Sequence, residues 1–238
     1  GPALTSGRVA DVAVDPGNRS IWYVATASGG LWKTMNRGLT FTPVFEHGAY
    51  SMCCVLVDPK NSNTIWLATG ENTNLRSAMA GQGVFKSRDA GATWQFVGLG
   101  LSEKIGRMAI DPGNSEVVYV AAQGPLWAPG GERGLYKTTN GGGSWNRVLN
   151  VSENTGITDV IIDPRNSNVV YAAAYQRRRH VGLLIAGGPE GAIYKSSDAG
   201  ATWRKLTVGL PTGDVGRIGL AISPQNPDVI YATIAAQG

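Results

Sequence analysis

Short apolar runs of β-branched and aromatic residues recur along the chain, each bounded by Pro, Gly or Asn. The clearest are Ile21-Trp-Tyr-Val-Ala25, Thr64-Ile-Trp-Leu-Ala68, Val117-Val-Tyr-Val-Ala121, Val169-Val-Tyr-Ala-Ala173 and Val229-Ile-Tyr-Ala-Thr233. Their length and composition predict strands, and no segment carries the period of an amphipathic helix. A fixed signature precedes each run: Val14-Asp15-Pro16, Val57-Asp58-Pro59, Ile110-Asp111-Pro112, Ile162-Asp163-Pro164 and, altered, Ile222-Ser223-Pro224. An Asn-containing turn follows it every time, so two strands joined by a turn repeat five times.

A second signature interleaves with the first. It reads Thr34-Met-Asn36-Arg-Gly38-Leu-Thr40-Phe41, Ser87-Arg-Asp89-Ala-Gly91-Ala-Thr93-Trp94, Thr138-Thr-Asn140-Gly-Gly142-Gly-Ser144-Trp145 and Ser196-Ser-Asp198-Ala-Gly200-Ala-Thr202-Trp203. Just ahead of it stand Gly30-Leu-Trp-Lys33, Gly83-Val-Phe-Lys86, Gly134-Leu-Tyr-Lys137 and Ala192-Ile-Tyr-Lys195. One repeat is therefore strand A ending at Asp-Pro, strand B, strand C, a tight C–D turn and strand D. Four short strands in a period of about 50 residues predict an all-β chain, a β-propeller of four-stranded antiparallel blades. Four blades are complete and a fifth is partial: about 7–49, 50–104, 105–155, 156–214 and 215–238. Both ends read as cuts, so the chain is expected to be a fragment of a larger propeller; for blade 5 either more chain follows, another molecule completes it, or the arc stays open, and the first is the expectation.

The repeated box resembles the Asp-box, or bacterial neuraminidase repeat. Over nearly all of residues 7–238 the chain resembles Asp-box propellers of the sortilin type and the xyloglucanase-like glycoside hydrolases. That resemblance implies export to the periplasm or the cell exterior. It is specific for a fold and poor for an activity.

Asp89 and Asp198 are tempting as catalytic carboxylates, but the pattern argues otherwise. Asn36 and Asn140 replace them in two copies; Asn can organise a turn yet cannot be a general base. The aromatic residue that ends each box is expected to wedge between strands. Asp15, Asp58, Asp111 and Asp163 are read as turn formers in the same way.

Alternation of the strands puts the A–B and C–D turns at one end of every blade and the B–C and D–A connections at the other. The first set is short and uniform. The B–C connections are not: Ser28-Gly29-Gly30 in blade 1, Glu71 to Gln82 in blade 2, Gln123 to Arg133 in blade 3, and Tyr175 to Glu190 in blade 4. Unequal loops on a rigid frame are where binding concentrates. The candidate binding residues are Glu71, Asn72, Arg76, Trp127, Glu132, Tyr175, Arg177, Arg178, Arg179 and His180. To these we add Arg8, Arg107 and Arg217, each following a Gly at the start of strand A and expected to occupy equivalent positions. Three guanidinium groups suit a carboxylate, sulfate or phosphate; the plainer expectation is pairing with neighbours such as Asp11 and Asp159. Arg177–His180 reads as a solvated loop or a contact for an acidic partner. The apolar Val181-Gly-Leu-Leu-Ile185 is expected to pack on a partner chain or fold back on its blade.

Composition narrows the picture. Charged residues are 16% of the chain, Gly numbers 33 and the formal net charge is +4, too mild an excess to imply nucleic acid. Cys53 and Cys54 are adjacent and read as small core residues. With His47 and His180 far apart, no metal site or cofactor is expected, and no apolar run has the length of a membrane span.

Glycoside hydrolysis needs two carboxylates flanking the scissile bond. In xyloglucanase-like relatives one is an Asp near the end of strand B, just before Gly-Gly. The matching stretch here is Thr26-Ala27-Ser28-Gly29-Gly30, with no carboxylate. A sialidase-like set assembled from Arg8, Arg107, Arg217, Tyr50, Glu71 and Asp11 rests on nothing that fixes their distances. The sequence alone is therefore read as a non-catalytic module that binds a protein, peptide or glycan; a glycoside hydrolase fragment with part of its carboxylates missing is the alternative.

Overall fold

The computed structural model describes residues 8–46, 48–73 and 78–236. The chain forms two compact units, residues 1–105 and 106–238. In the first, β1 (Val9–Val14), β2 (Trp22–Thr26), β3 (Leu31–Thr34) and β4 (Thr42–Phe45) make one antiparallel sheet in sequence order. A second sheet contains β5 (Met52–Asp58), β6 (Asn61–Thr69), β7 (Val84–Ser87) and β8 (Gln95–Gly98). The next sheet, β9 (Ile105–Asp111), β10 (Asn114–Gln123), β11 (Arg133–Thr138) and β12 (Asn146–Leu149), opens at the boundary and lies otherwise in the second unit. A five-stranded sheet follows: β13 (Thr155–Asp163), β14 (Asn166–His180), β15 (Leu183–Ala186), β16 (Ala192–Ser196) and β17 (Arg204–Lys205). A two-stranded sheet of β18 (Val215–Ile222) and β19 (Ile230–Ala236) ends the described residues. The fold is an all-β propeller of four-stranded antiparallel blades. Its only helical piece among the described residues is a short 3-10 turn at Gly100–Ser102.

The A–B turns form as their chemistry requires. Asp15, Asp58, Asp111 and Asp163 each accept the N–H two residues on, at 2.7–2.9 Å. The Asn that follows repeats the device: Asn18, Asn61, Asn114, Asn166 and Asn226 all cap the N–H two residues ahead. In blade 5, Ser223 takes the aspartate's place and accepts from Asn226 N.

The C–D turn is a cage centred on one side chain. The Oδ1 of Asn36, Asp89, Asn140 and Asp198 accepts the N–H four residues on, at 2.8–2.9 Å. The hydroxyl of Thr34, Ser87, Thr138 or Ser196 donates to that same Oδ1 and accepts the N–H of Gly38, Gly91, Gly142 or Gly200. Where the central residue is Asp, the Thr93 or Thr202 hydroxyl donates to Oδ2. Where it is Asn, Nδ2 donates to the hydroxyl oxygen of Thr40 or Ser144. The bond is kept and its direction reversed, so the two residue types are interchangeable.

These cages also join blades. The residue before the turn's Gly takes a left-handed conformation, at φ 55° for Ala90 and Ala199. Its carbonyl then faces the preceding blade, where Tyr23 Oη and Lys33 Nζ reach Ala90 O at 3.0 and 2.9 Å. In the second unit Tyr119 Oη and Lys137 Nζ both reach Ala199 O at 2.8 Å. Burial pushes both tyrosines up to about 12, with nearby aspartates adding to it, so each hydroxyl remains a donor. The aromatic wedge is present as expected: Trp94 Nε1 donates to Val44 O at 2.6 Å while its ring meets Phe45 edge-on.

The cores lie at these seams. Tyr23, Leu31, Phe45, Met52, Val55, Ile65 and Leu67 form one, with Trp94 packed against it. Tyr119, Leu135, Leu149, Ile157, Val160 and Val170 form the equivalent cluster in the second unit, closed by Trp203. Cys53 and Cys54 are buried in β5 and carry no disulfide. First strands of neighbouring blades approach closely enough to require glycine. A Cβ on Gly106 in β9 would stand 2.3 Å from Thr158 O in β13, and one on Gly156 in β13 would stand 2.5 Å from Gln123 Cα at the end of β10, the second strand of the preceding blade.

The Thr93 and Thr202 hydroxyls lead the hydrogen bonds that hold Asp89 and Asp198 at about 2. A depressed folded value gives stability that is complete above about pH 4 and is lost as the pH falls toward 2. D89N and D198N should leave the melting temperature near pH 7 unchanged and flatten this acid limb. D89A, which empties the cage, should lower the melting temperature by roughly 2–4 °C; differential scanning calorimetry across pH reads both.

Candidate functional site

The loop-bearing end is described unit by unit. In the first, Arg8 stands just ahead of β1 and pairs with Glu71, which follows β6. The Glu71 side chain is buried and that of Arg8 is about half exposed. Two backbone bonds hold this arrangement: Gly70 N donates to Ser51 O, and Glu71 N to Met79 O. Asn72 is half-buried beside Glu71. Arg76 and His47 lie outside the described residues. Sequence reasoning missed Lys104, which is buried and donates to the carbonyls of Ala78 and Met79 at 3.0 Å, closing the far side of the loop. Ala27 is buried and donates its N–H to Arg8 O. Neither Ala27 nor Ser28, in the stretch where the xyloglucanase resemblance places a carboxylate, carries one. Tyr50 is exposed, and its carbonyl accepts from Gly29 and Gly30.

In the second unit the blade 4 connection differs from its expected form. It is a β-ribbon: β14 runs on to His180, and β15 pairs back along it with Arg177 opposite Ala186 and His180 opposite Leu183. Strand-length apolar residues at Leu183–Ile185 favour the return strand, and Gly182, at φ 79°, makes the turn. Arg177 and Arg178 are therefore buried, not solvated, while His180 is exposed near the tip. The apolar segment does fold back on its own blade, leaving Val181 and Leu183 exposed. Arg177 Nη1 donates to Gln123 Oε1 at 3.2 Å, and Arg178 Nη1 to Asn154 Oδ1 at 2.7 Å. Tyr175 is buried below them. Glu190 closes the ribbon's base, accepting from the Ser152 and Thr155 hydroxyls.

The blade 3 connection is organised by Arg133, a residue not among the candidates. It is buried and donates to the carbonyls of Gln123, Pro125 and Ala128 at 2.5–3.2 Å. Trp127 projects from this loop, exposed, and Glu132 is half-buried beside Arg133. The carbonyl signal was legible only in hindsight: a lone Arg after a Gly-rich loop has many unpaired C=O groups to satisfy.

Arg8 and Arg217 occupy equivalent register positions, each just before the residue paired three past the strand B tyrosine (Val9 with Thr26, Ile218 with Ile234), whereas Arg107 does not. Arg8 stands seven residues before Asp15, Arg107 four before Asp111 and Arg217 six before Ser223. The bulge between Val9 and Asp11 absorbs the extra residue between Arg8 and Asp15, while Arg107, four residues before Asp111, stands where Asp11 and Asp159 stand before Asp15 and Asp163. Arg107 Nε lies 3.5 Å from Asp159 Oδ1. Asp159 also accepts Val160 N at 2.9 Å and Leu220 N at 2.8 Å. Burial pushes this carboxyl above its usual range, against the pull of those amides and of Arg107 and Arg217. Asp11 does the same work in the first unit, accepting from Val12 N and Val55 N. Both aspartates staple first strands together, and Asp159 like Glu71 has a half-exposed arginine as its partner.

Among the described residues no cluster of His, Cys, Asp and Glu could hold a metal, and no helix is long and apolar enough to cross a membrane.

No protein-family model matches the chain. It is 26% identical over 229 residues to a xyloglucanase of Hypocrea jecorina, covering 83% of this chain and 26% of that protein. It is 24% identical over 217 residues to an oligoxyloglucan-reducing end-specific xyloglucanase of Emericella nidulans, covering 86% and 25%. Among solved structures, the GH74 enzyme of Niastella koreensis superposes with a TM-score of 0.61 at 25% identity, over 82% of this chain and 28% of that one. An ancestral GH74 enzyme gives a TM-score of 0.72 over 96% of this chain and 28% of that one; at 24% identity it shows the fold alone. The class these likenesses define is the glycoside hydrolase-like β-propeller. The chain spans about a quarter of the length of the curated relatives it matches.

D159N should destabilise the protein by about 1–3 kcal/mol, because an amide cannot accept both N–H groups and one buried donor loses its partner. Urea unfolding monitored by Trp fluorescence measures this; an unchanged midpoint would show that the staple carries no weight.

Proposed function

We propose that this chain is a segment of an exported propeller glycoside hydrolase acting on a branched β-glucan of the xyloglucan class, in which it forms part of the saccharide-binding wall. The observation that carries the reading is the similarity to xyloglucanases over more than four-fifths of the chain. The geometry agrees with a binding role at the loop-bearing end. Arg8 offers a half-exposed guanidinium held by buried Glu71, suited to sugar hydroxyls. Glu71 is here a positioning residue, and the acid and base that cleave the bond belong to other parts of the protein.

One observation favours a second reading. Ala27 and Ser28 occupy the stretch where the resemblance places a carboxylate, which suits a non-catalytic glycan or protein module built on the same fold.

The full-length protein incubated with xyloglucan and with unbranched β-glucan separates the two. Hydrolysis predicts new reducing ends from xyloglucan, with E71Q raising KM about tenfold and sparing kcat, the pattern of lost uniform binding. Retained affinity for xyloglucan without any turnover would establish the second reading. A KM unchanged by E71Q would remove the Arg8–Glu71 pair from the binding wall.

A further inference from the structure

In the first unit four chain segments close a circuit of hydrogen bonds. Ala27 N donates to Arg8 O at 2.9 Å, and the turn residues that follow, Gly29 and Gly30, both donate to Tyr50 O at 3.0 Å. Ser51, next to Tyr50, accepts Gly70 N at 2.8 Å. Glu71, next to Gly70, takes the Arg8 guanidinium and completes the circuit. The start of β1, the short blade 1 connection, the lead into β5 and the end of β6 therefore meet at one place on the rim. The turn needs glycine to get there: Gly30 has φ 75°, and a Cβ on it would stand 2.9 Å from Phe45 O.

Tyr50 is the odd member of this circuit. Tyr23, the other tyrosine of the unit, is fully buried and spends its hydroxyl on Ala90 O. Tyr50 has its backbone carbonyl held twice, yet it is 65% exposed and its phenol makes no hydrogen bond among the described residues. Across the same turn the Arg8 side chain is about half exposed, and apart from Glu71 its guanidinium meets no acceptor among the described residues. Blade 1 has the shortest B–C connection of the four, so the rim is low here and both groups face solvent.

A fixed aromatic ring beside a guanidinium suits a neutral pyranose. The hydroxyls of a β-glucosyl unit are equatorial, so its faces present only C–H groups and its polar atoms lie round the edge. A tyrosine ring covers such a face with rigid area at a small cost in side-chain entropy. The guanidinium supplies donors to the edge. Glu71 balances the charge of Arg8, so this place does not select an anionic sugar.

We propose that Tyr50 is the platform of a neutral glucosyl subsite, its ring carrying the C–H face of one backbone glucose while Arg8 donates to the hydroxyls at its edge. This rests on the glycan reading above and deepens it by naming the surface that the sugar ring lies on.

Calorimetric titration of the full-length protein with cellohexaose and with a xyloglucan heptasaccharide tests it. Y50A should weaken both about tenfold at an unchanged melting temperature, while Y50F, which keeps the ring, should stay within about twofold of the parent. Y50L, with bulk but no aromatic face, should lose as much as Y50A, and it decides the matter where Y50A alters the melting temperature. R8Q should weaken both sugars as well, and affinity should hold steady as salt is raised from about 20 to 200 mM, since the ligand is uncharged. A Y50A or Y50L protein that binds like the parent, or a Y50F protein that loses as much as Y50A, overturns the platform. Xyloglucan turnover on the same samples keeps the two readings apart. Binding that Y50A weakens, without hydrolysis, defeats the hydrolase reading alone; hydrolysis by a parent whose affinity Y50A leaves unchanged defeats this one alone. A parent that binds neither oligosaccharide defeats both.

Discussion

The structure depends on a single caged side-chain oxygen. In each C–D turn, one Oδ1 gathers a hydroxyl and a backbone N–H, and that fixes a left-handed residue directly before a glycine. Without the cage, a non-glycine residue such as Ala90 or Ala199 would avoid that conformation. With it, the carbonyl of that residue is turned outward to receive a tyrosine hydroxyl and a lysine ammonium from the preceding blade. A turn that looks local therefore sets the spacing between sheets. The Trp seam and the packed apolar clusters follow from that spacing.

The two ends of the blades divide the labour. At the turn end the repeated Asp and Asn side chains accept backbone N–H groups of their own turns, which is why its aspartates are unsuited to chemistry. At the other end the connections vary, and two of them are each stiffened by one buried cation. Lys104 gathers carbonyls in blade 2, and Arg133 does so in blade 3. In blade 4 the stiffening is by strand pairing, with Arg177 and Arg178 anchored on neighbouring side chains. A rigid rim with unequal walls is what selective recognition of a ligand needs.

Most of the fold was legible because the repeat is written in residues with strong local chemistry. Asp-Pro, Asn two or three residues later, and the Ser/Thr-x-Asp/Asn spacing name their turns directly. The strand runs were read from Tyr23, Trp66, Tyr119 and Tyr171 and their neighbours. What escaped was tertiary. The Arg177–Ile185 segment carries loop-like charge beside an apolar run, and only pairing across Gly182 shows it to be a ribbon. Arg107 was aligned with Arg8 and Arg217 by the preceding glycine, whereas its distance from Asp111 sets it in the register of Asp11 and Asp159. Arg133 and Lys104 were overlooked because their partners are backbone carbonyls, which leave no mark on sequence.

The outward-turned carbonyl of the C–D turn has a further consequence for how the protein resists unfolding. Blades 1 and 3 are each completed by an acceptor that belongs to the next blade, so the cooperative element there is the seam and not the blade. Tyr23 and Tyr119, which meet such a carbonyl within their unit, are fully shielded. Damage to one turn thus loosens two sheets, its own and the one before it. Resistance to heat or denaturant should accordingly pass along the chain as nearest-neighbour couplings, in the manner of a linear array.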